Sequence, residues 1–263
     1  MVHILDGKAL AQRKFDELKK TISSLSLTPG LGVILVGDDP ASRVYVSLKE
    51  ERAYELGIYV QKRELAGSIK EDELILEIEK LNANPLVHGI LIQFPLPEHI
   101  NANTILDHIK KEKDVDGFLL GSHVSSPIVA AILDLLHEVA PELRGLKAKL
   151  FLNSEIFFNG LSERLRAKGI EIVEDSLKAD IIITAKGMAH FLKSFMIKKG
   201  AIVIDAGTVK INGKIFGDAD ESILAKAGYV SLVPGGVGPL TVIHLLENVV
   251  FLARRSLGRN VAL

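Results

Sequence analysis

The chain has 263 residues, 48% of them hydrophobic, with Lys+Arg 32 against Asp+Glu 33 and a net charge of -1, which suits one large α/β domain or two moderate ones with a sizeable core. The balanced charge, without a run of five like charges or a basic face interleaved with aromatics, argues against a nucleic-acid partner and for a small neutral or anionic one. Cysteine is absent, which excludes disulfides, thiolate nucleophiles and cysteine-ligated zinc and agrees with a reducing compartment. A cytoplasmic protein is expected, because Met1-Val2-His3-Ile4-Leu5-Asp6-Gly7 lacks a signal pattern and charges interrupt every long apolar stretch, so no membrane partner is expected either.

Apolar residues at Leu10, Phe15, Leu18 and Ile22 predict an amphipathic helix over residues 8–26, stopped by Thr28-Pro29-Gly30. An apolar run at 31–36 reads as a strand, and after the turn Gly37-Asp38-Asp39, Pro40 opens a helix that runs to residue 56 with Gly57 as its stop. Strands at 58–65 and 87–93 flank a helix at 71–81, and the second strand breaks into Phe94-Pro95-Leu96-Pro97. This βαβαβ alternation implies a parallel sheet whose ligands bind beyond the carboxyl ends of the strands.

Three features gather at those ends. Tyr45 and Lys49, four apart on the helix opened by Pro40, share a face and set a phenol beside an amine. Gln93 closes an otherwise apolar strand. After a helix at 101–111 comes Asp114-Val115-Asp116-Gly117, where one carboxylate is expected to face a pocket while the other caps or meets solvent. Each feature alone also reads as ordinary surface chemistry. Further Asp, His or Glu at ligand spacing are lacking, so no metal is expected. The histidines are scattered without H-E-x-x-H spacing, and the serines lack a G-x-S-x-G elbow.

A helix at 128–139 leads to Ala140-Pro141, the expected domain boundary. A second domain then reads as strands at 147–152, 170–173, 180–184, 201–205 and 229–233, with a hairpin at 209–216 around Asn212-Gly213 and a short helix at 221–227. The glycine-rich Pro234-Gly-Gly-Val-Gly-Pro-Leu-Thr241 precedes a last amphipathic helix at 241–255.

Tyr45-x-x-x-Lys49, Gln93-Phe-Pro-Leu-Pro97, Asp114-Val-Asp-Gly117 and Pro234 to Thr241 together resemble the bifunctional methylenetetrahydrofolate dehydrogenase/methenyltetrahydrofolate cyclohydrolase family, as do the flanking Asp6-Gly7-Lys8, residues 36–42 and residues 200–205. The resemblance implies a two-domain α/β protein with a cleft between its lobes. A discontinuous, parallel-sheet folate domain would span 1–140 and 239–263, and a trimmed, Rossmann-like domain 141–238. By motif, Lys49 resembles the family's catalytic lysine, Gln93 its hydrogen-bonding partner, Tyr45 the ring packed on the substrate, and Asp116 the acceptor for the pterin. Pro234, Gly235 and Gly236 would border the substrate, a tetrahydrofolate derivative. NADP would meet Ser154 and Gly238, and a homodimer is implied.

The middle of the chain departs from that pattern. The loop between Asp116 and Pro127 is about half the expected length, and Ser126-Pro127 stands where the family has Thr-Pro. The family's G-x-S-x-x-x-G-x-P pyrophosphate turn reads Leu152-Asn-Ser-Glu-Ile-Phe-Phe-Asn-Gly160, in which only Ser154 matches and Gly160 serves only in a shifted register. Glu174-Asp175 stands where a basic residue would suit a 2′-phosphate, and residues 176–179 are too few for a crossover helix. Cyclohydrolase chemistry with weak or lost dehydrogenase activity is therefore the leading expectation. A fully bifunctional NADP- or NAD-dependent enzyme and a non-catalytic folate-binding member are the alternatives.

Overall fold

The computed structural model describes residues 1–140 and 142–258; Pro141 of the expected boundary lies outside the described residues. In chain order the elements are β1 (His3–Leu5), α1 (Gly7–Ser23), β2 (Gly30–Val36), α2 (Pro40–Glu55), β3 (Tyr59–Leu65), α3 (Glu71–Ala83), β4 (Gly89–Ile92), α4 (Ala102–Asp107) and α5 (Pro127–Val139). There follow β5 (Lys147–Leu152), α6 (Glu155–Ala167), β6 (Glu171–Ile172), β7 (Ile181–Ala185), β8 (Ile202–Asp205), β9 (Val209–Ile211), β10 (Lys214–Phe216), β11 (Tyr229–Ser231) and α7 (Val237–Ser256). The fold is α/β with parallel sheets in two compact units. One unit comprises Arg13–Pro127 and the chain from Val242 onward, the other Met1–Gln12 with Ile128–Thr241. The divisions fall inside α1 and α7 and at the first residue of α5.

In the first unit the sheet order is β3-β2-β4, all parallel. All seven residues of β2 are buried, as expected of a central strand covered on both faces. Its Ile34 and Val36 pack with Leu74, Ile78 and Leu81 of α3 and with Ile90 and Ile92 of β4. Asp39 caps α2, its Oδ2 accepting from the Ser42 N–H at 2.7 Å, and Pro40 occupies the first helical turn where its missing N–H costs nothing. His88 Nδ1 accepts the Gly30 N–H at 3.0 Å and pins the start of β2 beside β4.

The helix expected over 101–111 ends at Asp107 and resumes only as a single 3₁₀ turn at Lys111–Lys113. Asn82 explains the break: its amide donates to His108 O at 2.7 Å and its Oδ1 accepts from Lys110 N at 3.2 Å, so tertiary bonds replace the helical ones. Lys113 then turns back, its Nζ donating to the carbonyls of Leu81, Asn82 and Asn84 at 2.8–3.1 Å. These carbonyls lie at the carboxyl end of α3, where a cation is favoured.

In the second unit six parallel strands lie in the order β1-β11-β8-β7-β5-β6. The three-residue β1, absent from the sequence expectation, pairs with β11 from His3↔Tyr229 to Leu5↔Ser231. Strand β6 shrinks to two residues, and only a 3₁₀ turn at Ser176–Lys178 joins it to β7, as the short spacing implies. The expected hairpin is β9–β10, with Asn212 and Gly213 both at positive φ (50° and 80°). The helix expected at 221–227 is a 3₁₀ stretch, Glu221–Ala225. Helix α7 starts at Val237 rather than Thr241, because Pro239 sits in the first turn where no intrahelical N–H is needed. Among the described residues α7 alone could cross a bilayer by length and composition, but 72% of the relevant window is buried inside the protein, which is the pattern of a core helix.

Candidate active site

The first unit builds its site at the carboxyl ends of β2 and β4. Pairing of Ile34 with Ile92 brings the strands level, and the Gln93 N–H donates to Ile34 O at 2.9 Å, which places the Gln93 side chain directly past the sheet. Its Nε2 donates to Phe94 O at 2.7 Å, so the amide orientation is set and Oε1 is left as the acceptor. Lys49, on the third turn of α2, donates from Nζ to that Oε1 at 3.0 Å. Tyr45 stands one turn earlier on the same helix, 40% exposed.

The carboxylates of Asp114 and Asp116 divide their work. Asp114, 2% exposed, accepts the N–H groups of Gly117 and Leu119 at 3.0 and 2.9 Å, closing its own loop. Asp116 faces the lysine. Burial pushes Asp116 up to about 7, against the favourable field of Lys49, with Asp114 adding a smaller push in the same upward direction. Burial holds Lys49 below the ordinary lysine value, while the Asp116 carboxylate pulls it back up. The amine and the acid are each moved toward neutrality by desolvation, and each supports the other's charge.

In the second unit the strand order reverses between β5 and β7, since the chain goes from β5 to β6 on one side and then to β7 on the other. The loops beyond these two strands are joined: Asn153 Nδ2 donates to Lys186 O at 2.6 Å. Ser154 is the N-cap of α6, with Oγ accepting from Phe157 N at 3.2 Å. Gly160 lies in the middle of α6, so the shifted-register glycine is corrected: a mid-helix position cannot supply a phosphate turn. Pro234, Gly235 and Gly236 form the loop before α7, where Gly235 has φ 113° and accepts the Lys8 N–H at 3.1 Å, and Gly238 lies in the first turn of α7. A Cβ on Gly7 would fall 1.9 Å from Gly236 O, so this close approach requires glycine.

The buried pair Asp205 and Asp218 was not singled out from the sequence. Asp205 accepts the N–H groups of Gly207, Asp218 and Ala219, while Asp218 accepts the Thr184 hydroxyl and the N–H groups of Lys186 and Met188. Burial pushes Asp205 up to about 6. The pair fixes the loops after β7 and β8, and a signal was present: Asp205 ends an apolar strand just as Gln93 does. Among the described residues no group of three or more His, Cys, Asp or Glu is arranged to hold a metal.

The two parallel sheets, one with a strand-order reversal of the dinucleotide-binding kind, define a two-unit α/β protein of the dinucleotide-binding class, with Lys49 and Gln93 bonded at the ends of β2 and β4. Residues 5–116 match the tetrahydrofolate dehydrogenase/cyclohydrolase catalytic domain, and residues 128–257 match the NAD(P)-binding domain of the same name. The chain belongs to the tetrahydrofolate dehydrogenase/cyclohydrolase family of folate one-carbon metabolism. It is 39% identical over 274 residues to the bifunctional protein FolD of Halalkalibacterium halodurans, covering 95% of this chain and 98% of that protein. It is 40% identical to that of Bacillus pumilus, covering 97% and 99%. Among solved structures, the bifunctional FolD of Campylobacter jejuni superposes with a TM-score of 0.92 at 37% identity, covering 97% and 100%. The Trypanosoma brucei enzyme, complexed with NADP cofactor and inhibitor, gives 0.91 at 28%, covering 98% and 99%.

The family implies a nicotinamide cofactor, and the residues after β5 fit its pyrophosphate poorly. The turn Asn153-Ser154 contains no glycine to let phosphate reach bare backbone, the Ser154 hydroxyl is spent on its own helix, and Glu155 puts a carboxylate in the first turn of α6. Beyond β6, Glu174 is paired with Lys149 at 2.6 Å, and a carboxylate there suits ribose hydroxyls and opposes a 2′-phosphate.

Proposed function

We propose that this enzyme hydrolyses 5,10-methenyltetrahydrofolate and has weak or lost methylenetetrahydrofolate dehydrogenase activity. The observation that carries the first half is the 3.0 Å bond from Lys49 to Gln93 beside the half-buried Asp116. In the reaction a water oxygen adds to the cationic methenyl carbon, and the electron pair of the C=N bond moves to nitrogen. Neutral Lys49, held by Gln93 Oε1, accepts a proton from that water, and a neutral tetrahedral adduct results. Breaking one carbon–nitrogen bond then leaves a formyl group on the other nitrogen. The Lys49 ammonium protonates the departing nitrogen and the adduct's hydroxyl proton goes to solvent, so hydrolysis releases one proton net.

Asp116 accepts the donor edge of the pterin, Tyr45 packs on the substrate's ring, and Pro234, Gly235 and Gly236 border it. Functionally the folate domain comprises 1–140 and 239–263 and the nicotinamide-type domain 141–238; Ser154 and Gly238 are the contacts for any nicotinamide nucleotide. The poor fit at Asn153 to Glu155 supports the second half.

Hydrolysis of methenyltetrahydrofolate, followed by absorbance with the uncatalysed rate subtracted, is expected to fall by about 100-fold or more in Lys49→Ala. Equal rates would sink the cyclohydrolase reading and favour a non-catalytic folate-binding protein. The fully bifunctional alternative draws on the relatives' printed name and on the NADP complex of the Trypanosoma brucei enzyme. Titration with NADPH and NADH, read by nicotinamide fluorescence, separates it: saturable micromolar binding would overturn the argument from the β5–α6 turn. A cytoplasmic homodimer belongs to the same proposal, and light scattering on the purified chain tests its mass.

A further inference from the structure

Helix α7 contributes an almost wholly apolar surface to the core, including Leu245, Leu246, Val249, Val250 and Leu252. Two buried polar residues, His244 and Asn248, interrupt it, and Asn248 reaches across to the main chain of a distant segment. Only 6% exposed, this carboxamide donates both Nδ2 protons to main-chain carbonyls, Val115 O at 2.8 Å and Ser125 O at 2.9 Å. A buried amide on an apolar face is unfavourable unless its bonds are made, and once made they specify one geometry.

That geometry concerns the segment carrying Asp116. Upstream, Asp114 forms a parallel bridge with Ile90 of β4. The fully buried Val115 packs over Gly89 so closely that a Cβ there would fall 2.1 Å from Val115 Cγ1. Downstream, the Asp114 carboxylate holds the N–H groups of Gly117 and Leu119. Gly117, at φ 65°, lies against the backbone of Val124 and Ser126, where a Cβ would meet Ser126 N and Val124 O at 2.8 Å. Asn248 ties those same two stretches together, one carbonyl from each. The peptide whose carbonyl it grips is the one joining Val115 to Asp116.

We propose that Asn248 is a positioning residue for Asp116: it fixes the peptide from which the Asp116 carboxylate is aimed, and so sets substrate affinity. The proposal rests on the reading of Asp116 as the pterin acceptor. Leucine has the same branching and number of side-chain heavy atoms as asparagine and suits the apolar surroundings, so Asn248→Leu removes the two bonds while keeping the shape of the side chain.

The test uses the full chain in four forms: native, Asn248→Leu, Asp116→Asn and the double variant. Folding of each is checked by circular dichroism and thermal melting, and kcat and KM for methenyltetrahydrofolate hydrolysis are measured. Asn248→Leu is expected to raise KM about ten-fold or more with kcat changed less than about three-fold, because ground-state positioning is lost while Lys49 and Gln93 are intact. Placed on Asp116→Asn, the same substitution should raise KM by less than about two-fold, since residues acting through one another are not additive. A purely structural role would multiply the two penalties, and that result, or an unchanged KM in Asn248→Leu, would overturn the proposal. If Asn248→Leu does not fold, Asn248→Ser, which keeps one donor, takes its place in the cycle with a smaller rise in KM expected. A KM unchanged in Asp116→Asn itself would overturn the pterin reading and the proposal with it, and so is distinguishable from failure of the positioning role alone.

Discussion

The bond between Lys49 and Gln93 allows a quantitative test of the proton chemistry. Replacing Gln93 by methionine keeps the length of the side chain and removes the Oε1 that accepts from Lys49 Nζ at 3.0 Å. That acceptor stabilises the ammonium more than the free amine, so its loss must lower the lysine further in the direction burial has already moved it. A hydrogen bond to a charged group contributes about 1.5–3 kcal/mol, and a partly exposed pair belongs at the lower end, about 1.5 kcal/mol. At about 1.4 kcal/mol per unit this is about one pH unit. The rising limb of kcat/KM against pH for methenyltetrahydrofolate hydrolysis should therefore move about one unit to lower pH. The plateau should fall about 10- to 100-fold because the amine is no longer held. The limb belongs to the coupled Lys49–Asp116 pair, so Asp116→Asn should also move it to lower pH by withdrawing a carboxylate that raises Lys49. A limb that stays within about 0.3 unit of the native position in Gln93→Met would refute the assignment of Lys49 as the proton acceptor.

Two further expectations concern stability. Burial and the neighbouring Lys113 hold His88 below the ordinary histidine value, so its contribution is complete above the unfolded value of about 6.5 and is lost as pH falls through the lower folded value. His88→Leu should cost about 1 kcal/mol at pH 8 by orphaning the Gly30 N–H and should flatten the loss of stability toward pH 5; urea unfolding at both pH values checks this, and identical pH slopes would contradict it. Gly7→Ala must move backbone to relieve a 1.9 Å approach to Gly236 O, costing about 2 kcal/mol and lowering Tm by about 4–8 °C. Gly160→Ala, in open helix with nothing within 4 Å, should instead raise stability by about 0.5–1 kcal/mol, and similar Tm changes in the two variants would refute the reasoning from close approach.

Where the chain's own periodicity governs, its structure was readable. The buried runs of β2 and β4, the Asp39-Pro40 start of α2 and the Asn212-Gly213 turn all follow from local chemistry, while the bond between Lys49 and Gln93 was implied by the family resemblance of their motifs. The failures have a common cause in contacts from distant residues. Strand β1 exists because β11 offers it a partner, and three residues carry no periodicity of their own. The helix predicted over 101–111 stops because Asn82, some 25 residues earlier in the chain, takes over its backbone groups. Asp205 and Asp218 become a unit only when β7 and β8 lie side by side, and Asn248 reads from the sequence as one polar residue on an apolar helix until Val115 and Ser125 are found against it.

The sequence separation of 133 residues between Asn248 and Val115 bears on the order in which a growing chain can mature. Lys49, Gln93 and Asp116 are all synthesised well before the segment that carries Asn248. The amide that secures the peptide before Asp116 comes only with α7. The reactive centre is thus spelled out early in translation and closed late, so a chain released before α7 carries every group of the proposed chemistry and lacks the bolt that aligns them.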